Sequence, residues 1–216
     1  MTTLPRLTPI SGLAGIACII GGLAADAAPT SSWPDDRITG WYATHGMTHW
    51  LLSACLLALG APFLLIFTAD LAARLADRGA GRVSTAVVAG AGITWAATLL
   101  VGAGLYAAVP AAITFAQAPA PSPDISRYFL GSAYGVLVMF SAFAAAMLAA
   151  ATSLTALRYR TLPRWLALTG LPASILMLAN AWLPMAVITL WYAATSITLT
   201  ISHQAPVHRS QPVMAV

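Results

Sequence analysis

Long apolar blocks alternate with short polar links along this chain. A helix that crosses a bilayer needs roughly 20 mostly apolar residues, and the blocks approach or exceed that length. The first runs from about Leu7 to Ala25, the second from His49 to Ala72, the third from Val83 to Val109 and the fourth from Tyr128 to Leu157. The last stretch, Trp165 to Ile201, is too long for one crossing and is interrupted by Asn180, Trp182 and Pro184. A tight turn near Ala181–Pro184 divides it into two helices, about 165–181 and 184–201. The pattern predicts an all-α polytopic bundle of six transmembrane helices, forming a single integral membrane domain over residues 1–216.

Composition sharpens this picture. Apolar residues make up 59% of the chain and charged residues only 7%, against roughly 25% charged in soluble domains. Lysine and glutamate are absent, so all ten cations are arginine and all six acids are aspartate. That bias, with abundant alanine, fits a high-GC bacterial genome. The arginines fall in the links and therefore orient the bundle instead of binding nucleic acid. Arg74, Arg78 and Arg82 follow the second block, and Arg158, Arg160 and Arg164 follow the fourth. The first link has only Arg37 against Asp26, Asp35 and Asp36, and the third only Arg127. Cationic loops stay in the cytoplasm, which puts both termini inside, and an even number of spans agrees. The expected location is the cell membrane, with the lipid bilayer as the first partner.

The first block has a competing reading. Arg6, an apolar run and Ala25-Asp26-Ala27 imitate a secretory signal with its cleavage site. Against this, the run is long, and Gly12, Gly15, Gly21 and Gly22 suit a packed helix face. Gly131 and Gly135 form a small-xxx-small pair, and Gly90, Gly92, Gly102 and Gly104 give the third helix small faces. These imply close helix contacts within the bundle or between copies. Cys18 and Cys55 lie in apolar blocks and read as small core residues instead of a disulfide. Pro110, Pro119, Pro121 and Pro123 predict a stiff extended loop over 110–127. Pro62 and Pro172 can kink their helices.

Candidate chemistry gathers at the end of the bundle opposite the arginine-rich links. His45 and His49 are four apart, so a helix starting as early as Trp41 would project both rings from one face. That geometry can serve a metal or a proton relay, but no third ligand follows at a motif spacing, so no metal site is assigned. Asp26 closes the first helix without a local partner and can meet His45 or His49 from there. Asp70 is one turn from Arg74, which makes an ion pair the simpler account. Trp41, Trp50, Tyr106, Tyr128 and Asn180 fall at the same level as Asp26 and form the candidate ligand-binding set. An interfacial aromatic belt is the plainer reading of Trp33, Trp41, Tyr42 and Trp50.

Several chemistries lack their signatures. No phosphate-cradling glycine loop with a lysine is present, and no nucleophile elbow. No pairing of buried acids and bases suggests an ion pump, and the helix centres lack the polar groups of transporters. No cofactor is implied. W-Y-A-x-H at Trp41–His45, Phe67 with Leu71–Leu75 (F-x-x-x-L-A-A-R-L), and the run from Leu157 to Leu166 resemble uncharacterised six-helix membrane proteins of high-GC bacteria. These are similar to families named only as domains of unknown function. The resemblance implies six helices and carries no catalytic residue over.

The leading expectation is a non-catalytic membrane protein that binds a lipophilic small molecule or a membrane partner. The alternative is an intramembrane enzyme, a cyclase or isomerase acting on a hydrophobic metabolite, with Asp26, His45 and His49 as its acid–base set. A small transporter is the third reading.

Overall fold

The computed structural model describes residues 8–26, 28–30, 32–179 and 183–204. Every regular element among them is a helix. They are α1 (Thr8–Ala24), α2 (Asp35–Thr44), α3 (Thr48–Asp77), α4 (Arg82–Phe115), α5 (Pro123–Tyr134), a π-helical segment (Gly135–Phe140), α6 (Ser141–Tyr159), α7 (Arg164–Ala179) and α8 (Leu183–Gln204). Among the described residues, three helical stretches are long and apolar enough to cross a membrane: Thr48–Asp77, Arg82–Phe115 and the continuous Pro123–Tyr159. The others are shorter; α1, with 17 residues, is about 25 Å long at 1.5 Å per residue. Asn180 and the turn at 181–182 lie outside the described residues.

Short links make sequential helices antiparallel neighbours. Gly79, at φ 84°, ends α3, and the Ala80 N–H returns to the Leu75 carbonyl at 3.0 Å. Only glycine takes that left-handed backbone without strain. Arg160 adopts the left-handed conformation that stops α6, and Pro163 precedes α7. In sequence order α1 packs on α3, α3 on α4, α4 on α6, α6 on α7, α7 on α8, and α8 returns to α1. The six longer elements thus form a closed ring of helices.

Lipid tails are as apolar as leucine, so burial alone does not join these helices; close shape fit and interhelical polar bonds do. One row along the buried face of α3 is Trp50, Ala54, Leu57, Ala61, Leu64, Thr68, Leu71 and Leu75, with Ser53, Gly60 and Phe67 buried beside it. One row along that of α4 is Val88, Gly92, Trp95, Leu99, Gly102, Tyr106 and Val109, with Ala91, Ala96, Ala103 and Pro110 buried beside it. Both advance by alternating three and four residues, the 3.5-residue period of left-handed helix packing. At their contact, Gly92 makes room for Thr68. Backbones come closest between α1 and α3: a Cβ on Gly15 would lie 3.3 Å from the Gly60 carbonyl oxygen, and one on Gly60 would lie 3.3 Å from that of Gly15. Polar bonds then tie neighbours together. The Ser53 hydroxyl donates to the Gly22 carbonyl at 2.6 Å, Tyr192 to the Ala145 carbonyl at 3.0 Å, and the Trp191 indole to the Leu166 carbonyl at 2.8 Å.

Several expectations change. The first link, read as a loop, contains α2. Its first turn carries Asp35 and Asp36, which suit the positive end of the helix dipole, and Ile38 and Trp41 bury one face. The 110–127 segment is not an extended loop: α4 continues through Pro110 to Phe115, and α5 starts at Pro123. Pro123 sits at the first turn of a helix capped by the Ser122 hydroxyl, where its missing N–H costs nothing. Gly131, Gly135, Gly90 and Gly104 have no neighbour within 4 Å of an added Cβ, so close packing uses Gly92 and Gly102 but not these. Cys18 is half-buried, Cys55 is exposed, and both are free thiols; neither is a core residue. The Asp70–Arg74 ion pair is present at 2.7 Å.

Gly22 and Gly104 give a matched test of the packing. A Cβ on Gly22 would sit 2.7 Å from Leu57 Cγ and 3.0 Å from the Ser53 carbonyl oxygen, whereas one on Gly104 meets nothing. Gly22→Ala should destabilise by about 1–3 kcal/mol, the usual cost of overpacking. Gly104→Ala should be neutral or slightly stabilising, because alanine is the better helix former by about 1 kcal/mol. Thermal melts in detergent would measure both, and equal effects would contradict the packing.

Candidate functional site

Asp26 follows α1 and is held on both sides. Tyr106 of α4 donates its hydroxyl to Asp26 Oδ1, and Tyr134, the last residue of α5, donates to Oδ2 at 2.5 Å. The Ala28 N–H adds a third bond to Oδ1 at 3.0 Å. The tyrosines arrive together because α4 runs antiparallel to the long Pro123–Tyr159 helix in a fixed register. Below the Tyr106–Tyr134 level, Leu137 fills the space left by Gly102. One level further, the Ser141 hydroxyl donates to Thr98 Oγ1 at 3.1 Å. The π-helical segment lies within this register, between Tyr134 and Ser141.

A run of ring contacts extends from the carboxylate cluster. Tyr106 meets Trp50 edge-to-face at 5.7 Å, Trp50 meets Trp41 at 5.8 Å, and Trp41 stacks on His45 at 4.8 Å. Trp50 is 1% exposed and Trp41 8%, so these two rings are not a lipid-facing belt: α2 folds back and buries them. The Trp50 indole nitrogen has no hydrogen-bond partner among the described residues, which leaves one spare donor in the cluster. Tyr42 shares a 2.6 Å hydrogen bond with Ser126. Burial pushes the Tyr42 pKa up, and the Ser126 bond offsets part of the rise. Arg127 fastens α5 to the segment around α2, donating to the Trp33 carbonyl at 2.8 Å and pairing with Asp35 at 2.6 Å.

The structure unites Asp26, Tyr106, Trp50 and Trp41, reaches His45 only by its stacking on Trp41, and separates the rest. His45 is the residue after α2, bonded to Thr44 at 2.9 Å, while His49 lies exposed in the first turn of α3. The helix breaks between them around Gly46, so the two rings do not share a helical face. Asp26 has two tyrosines as partners in place of a histidine. No cluster of three or more His, Cys, Asp or Glu side chains able to hold a metal occurs among the described residues. Tyr128 is 72% exposed and packs on Phe129, away from the carboxylate. Asn180 lies outside the described residues. Tyr134 and Ser126 were missed. Tyr134 lies one turn beyond Leu130 in an apolar stretch, and only its polar hydroxyl could have marked it.

A second feature lies deeper in the ring. A narrow cavity of about 20 Å³ is lined by Ile16, Ile19, Leu99, Leu137 and Met177, with Trp95, Ser141 and Thr189 as the groups carrying polar atoms. Leu99 and Leu137 lie one or two turns below Tyr106 and Tyr134, so the Leu137–Gly102 contact separates cavity from carboxylate. The wall is hydrocarbon with a few hydroxyls, the usual make-up of a site for an apolar ligand.

With both oxygens taken by phenols, Asp26 clamps α1 to α4 and α5. Tyr134→Phe should lower stability by about 1 kcal/mol, the net worth of one hydrogen bond. Asp26→Asn should lower it further, because it weakens both tyrosine contacts. In a double-mutant cycle the two effects should be non-additive; additive losses would show that the clamp does not exist.

The chain matches no protein-family model, curated protein or solved structure.

Proposed function

We propose that this chain is a six-span integral membrane protein, with its arginine-rich end and both termini in the cytoplasm, that holds a slender lipophilic small molecule inside its helix ring. The observation that carries this reading is the apolar cavity between α1, α4, the π-helical segment, α6, α7 and α8. Its volume of about 20 Å³ is room for little more than one water, so the ligand would enter by parting the helices along this apolar wall. Its narrowness suits an acyl or isoprenoid chain better than a fused ring system. The Ser141 hydroxyl, which donates to Thr98, keeps its own oxygen available to accept from one polar group on the ligand. The carboxylate of Asp26, engaged by Tyr106 and Tyr134 and by neither histidine, favours binding over acid–base turnover. The six-helix plan is that of the bacterial membrane proteins its motifs resemble.

The orientation rests on the distribution of arginines and on the short links after α3 and α6. In a Cys18→Ala, Cys55→Ala background, Asp36→Cys should be labelled in intact cells by a membrane-impermeant thiol reagent. Ala80→Cys should be labelled only after permeabilisation. The reverse pattern would invert the bundle.

Ligand binding is tested by mass spectrometry of small molecules that co-purify in mild detergent. Wild type should retain a defined apolar species. Leu99→Phe, which adds volume to the cavity wall, should reduce it by tenfold or more. A Trp50→Phe variant, altered in the cluster above, should keep it. Bulk lipid alone in all three samples would sink the reading.

A further inference from the structure

The opposite end of the ring carries a groove of different chemistry. Its volume is about 140 Å³, between the end of α3, the link from α6 to α7, and α8. Arg74, Asp77, Arg78 and Thr161 supply its polar wall, and Leu162 and Leu199 are among its apolar residues. Three observations show what it lacks. The Thr161 hydroxyl oxygen is buried and has no hydrogen-bond partner among the described residues; a buried hydroxyl without a partner is costly. Arg78 forms no ion pair among the described residues, while Arg74 spends its Nε on Asp70 at 2.7 Å. Its two terminal guanidinium nitrogens remain for another acceptor. The charge around the groove is also unbalanced. Arg74, Arg78, Arg82, Arg158, Arg160 and Arg164 face Asp70 and Asp77 across this end of the chain. That is six cations against two anions, a net charge of +4 at the membrane boundary.

We propose that this groove binds the phosphate of an anionic phospholipid, with Arg74 and Arg78 on the phosphate oxygens and Thr161 donating to one of them. Guanidinium groups suit phosphate because their forked N–H groups match two of its oxygens at once. The leucine wall decides between a lipid and a free phosphate: an inorganic ion has no use for apolar surface beside its charge, whereas a lipid lays its first methylenes there. Basic pockets at the cytoplasmic ends of transmembrane helices are the usual places for anionic headgroups. Asp77 on the same wall opposes the anion and sets a limit on affinity.

The experiment is native mass spectrometry of the full chain in mild detergent, titrated with phosphatidylglycerol or phosphatidylcholine. Wild type should retain phosphatidylglycerol about tenfold better than phosphatidylcholine, the factor worth roughly one charge-assisted hydrogen bond. Thr161→Val keeps the shape and removes the donor; Arg78→Gln removes an exposed cation. Each should lower phosphatidylglycerol retention about fivefold to tenfold, and Asp77→Asn should raise it. Arg82→Gln makes the same change in charge outside the groove and should stay within about twofold, as expected for a screened surface charge. Equal retention of both lipids, or an equal loss in Arg82→Gln and Arg78→Gln, would overturn the site. Displacement of the lipid by millimolar inorganic phosphate would overturn the lipid assignment and leave a phosphate site.

Discussion

The close crossing of α1 and α3 at Gly15 and Gly60 is the contact on which the rest depends. Each glycine lets the other backbone approach to within 3.3 Å of where its Cβ would stand, tighter than nearly all side-chain contacts. With apolar surface on every side, the helices gain nothing from excluding lipid, so their order is set by where backbones can touch and where polar groups find partners. The α1–α3 approach brings the Ser53 hydroxyl onto the Gly22 carbonyl. It also sets the height at which α1 ends, and therefore where Asp26 stands.

From that height follows the Asp26 clamp. A carboxylate at the end of α1 meets two tyrosines only because α4 and the Pro123–Tyr159 helix run antiparallel with Tyr106 level with Tyr134. The same register seats Leu137 on Gly102 and Ser141 on Thr98. A π-helical segment inside this register is where helices often accommodate function. Here it forms part of the cavity wall through Leu137, with Ser141 just after it. The polar cluster, the tight contact and the apolar cavity are thus successive levels of one helix pair.

The two ends of the ring differ in kind. At the Asp26 end, the carboxylate is satisfied by two phenols, Arg127 is paired with Asp35, and only the Trp50 indole N–H is left over among the described residues of the cluster. At the arginine end, cations outnumber anions and a buried threonine hydroxyl is left over.

The sequence by itself determined that the chain is helical and strongly apolar, where charge falls, and that Asp70 pairs with Arg74. Those follow from composition and from contacts one helical turn apart. It also marked Asp26, Trp41, Trp50 and Tyr106 as residues of one end. It could not reveal the seams of α3 and α4. Leu57 and Leu64 face the core while Leu52 and Leu59 are exposed, yet all four are leucine. In water the exposed face would be polar and the period would show; beside lipid it does not. Nor could spacing show that Gly92 packs and Gly90 does not, or that α2 would form and separate His45 from His49. Tertiary structure alone decided these, because the partners of Asp26 lie 80 and 108 residues away. Only the packing of helices fixes which distant hydroxyls meet a carboxylate.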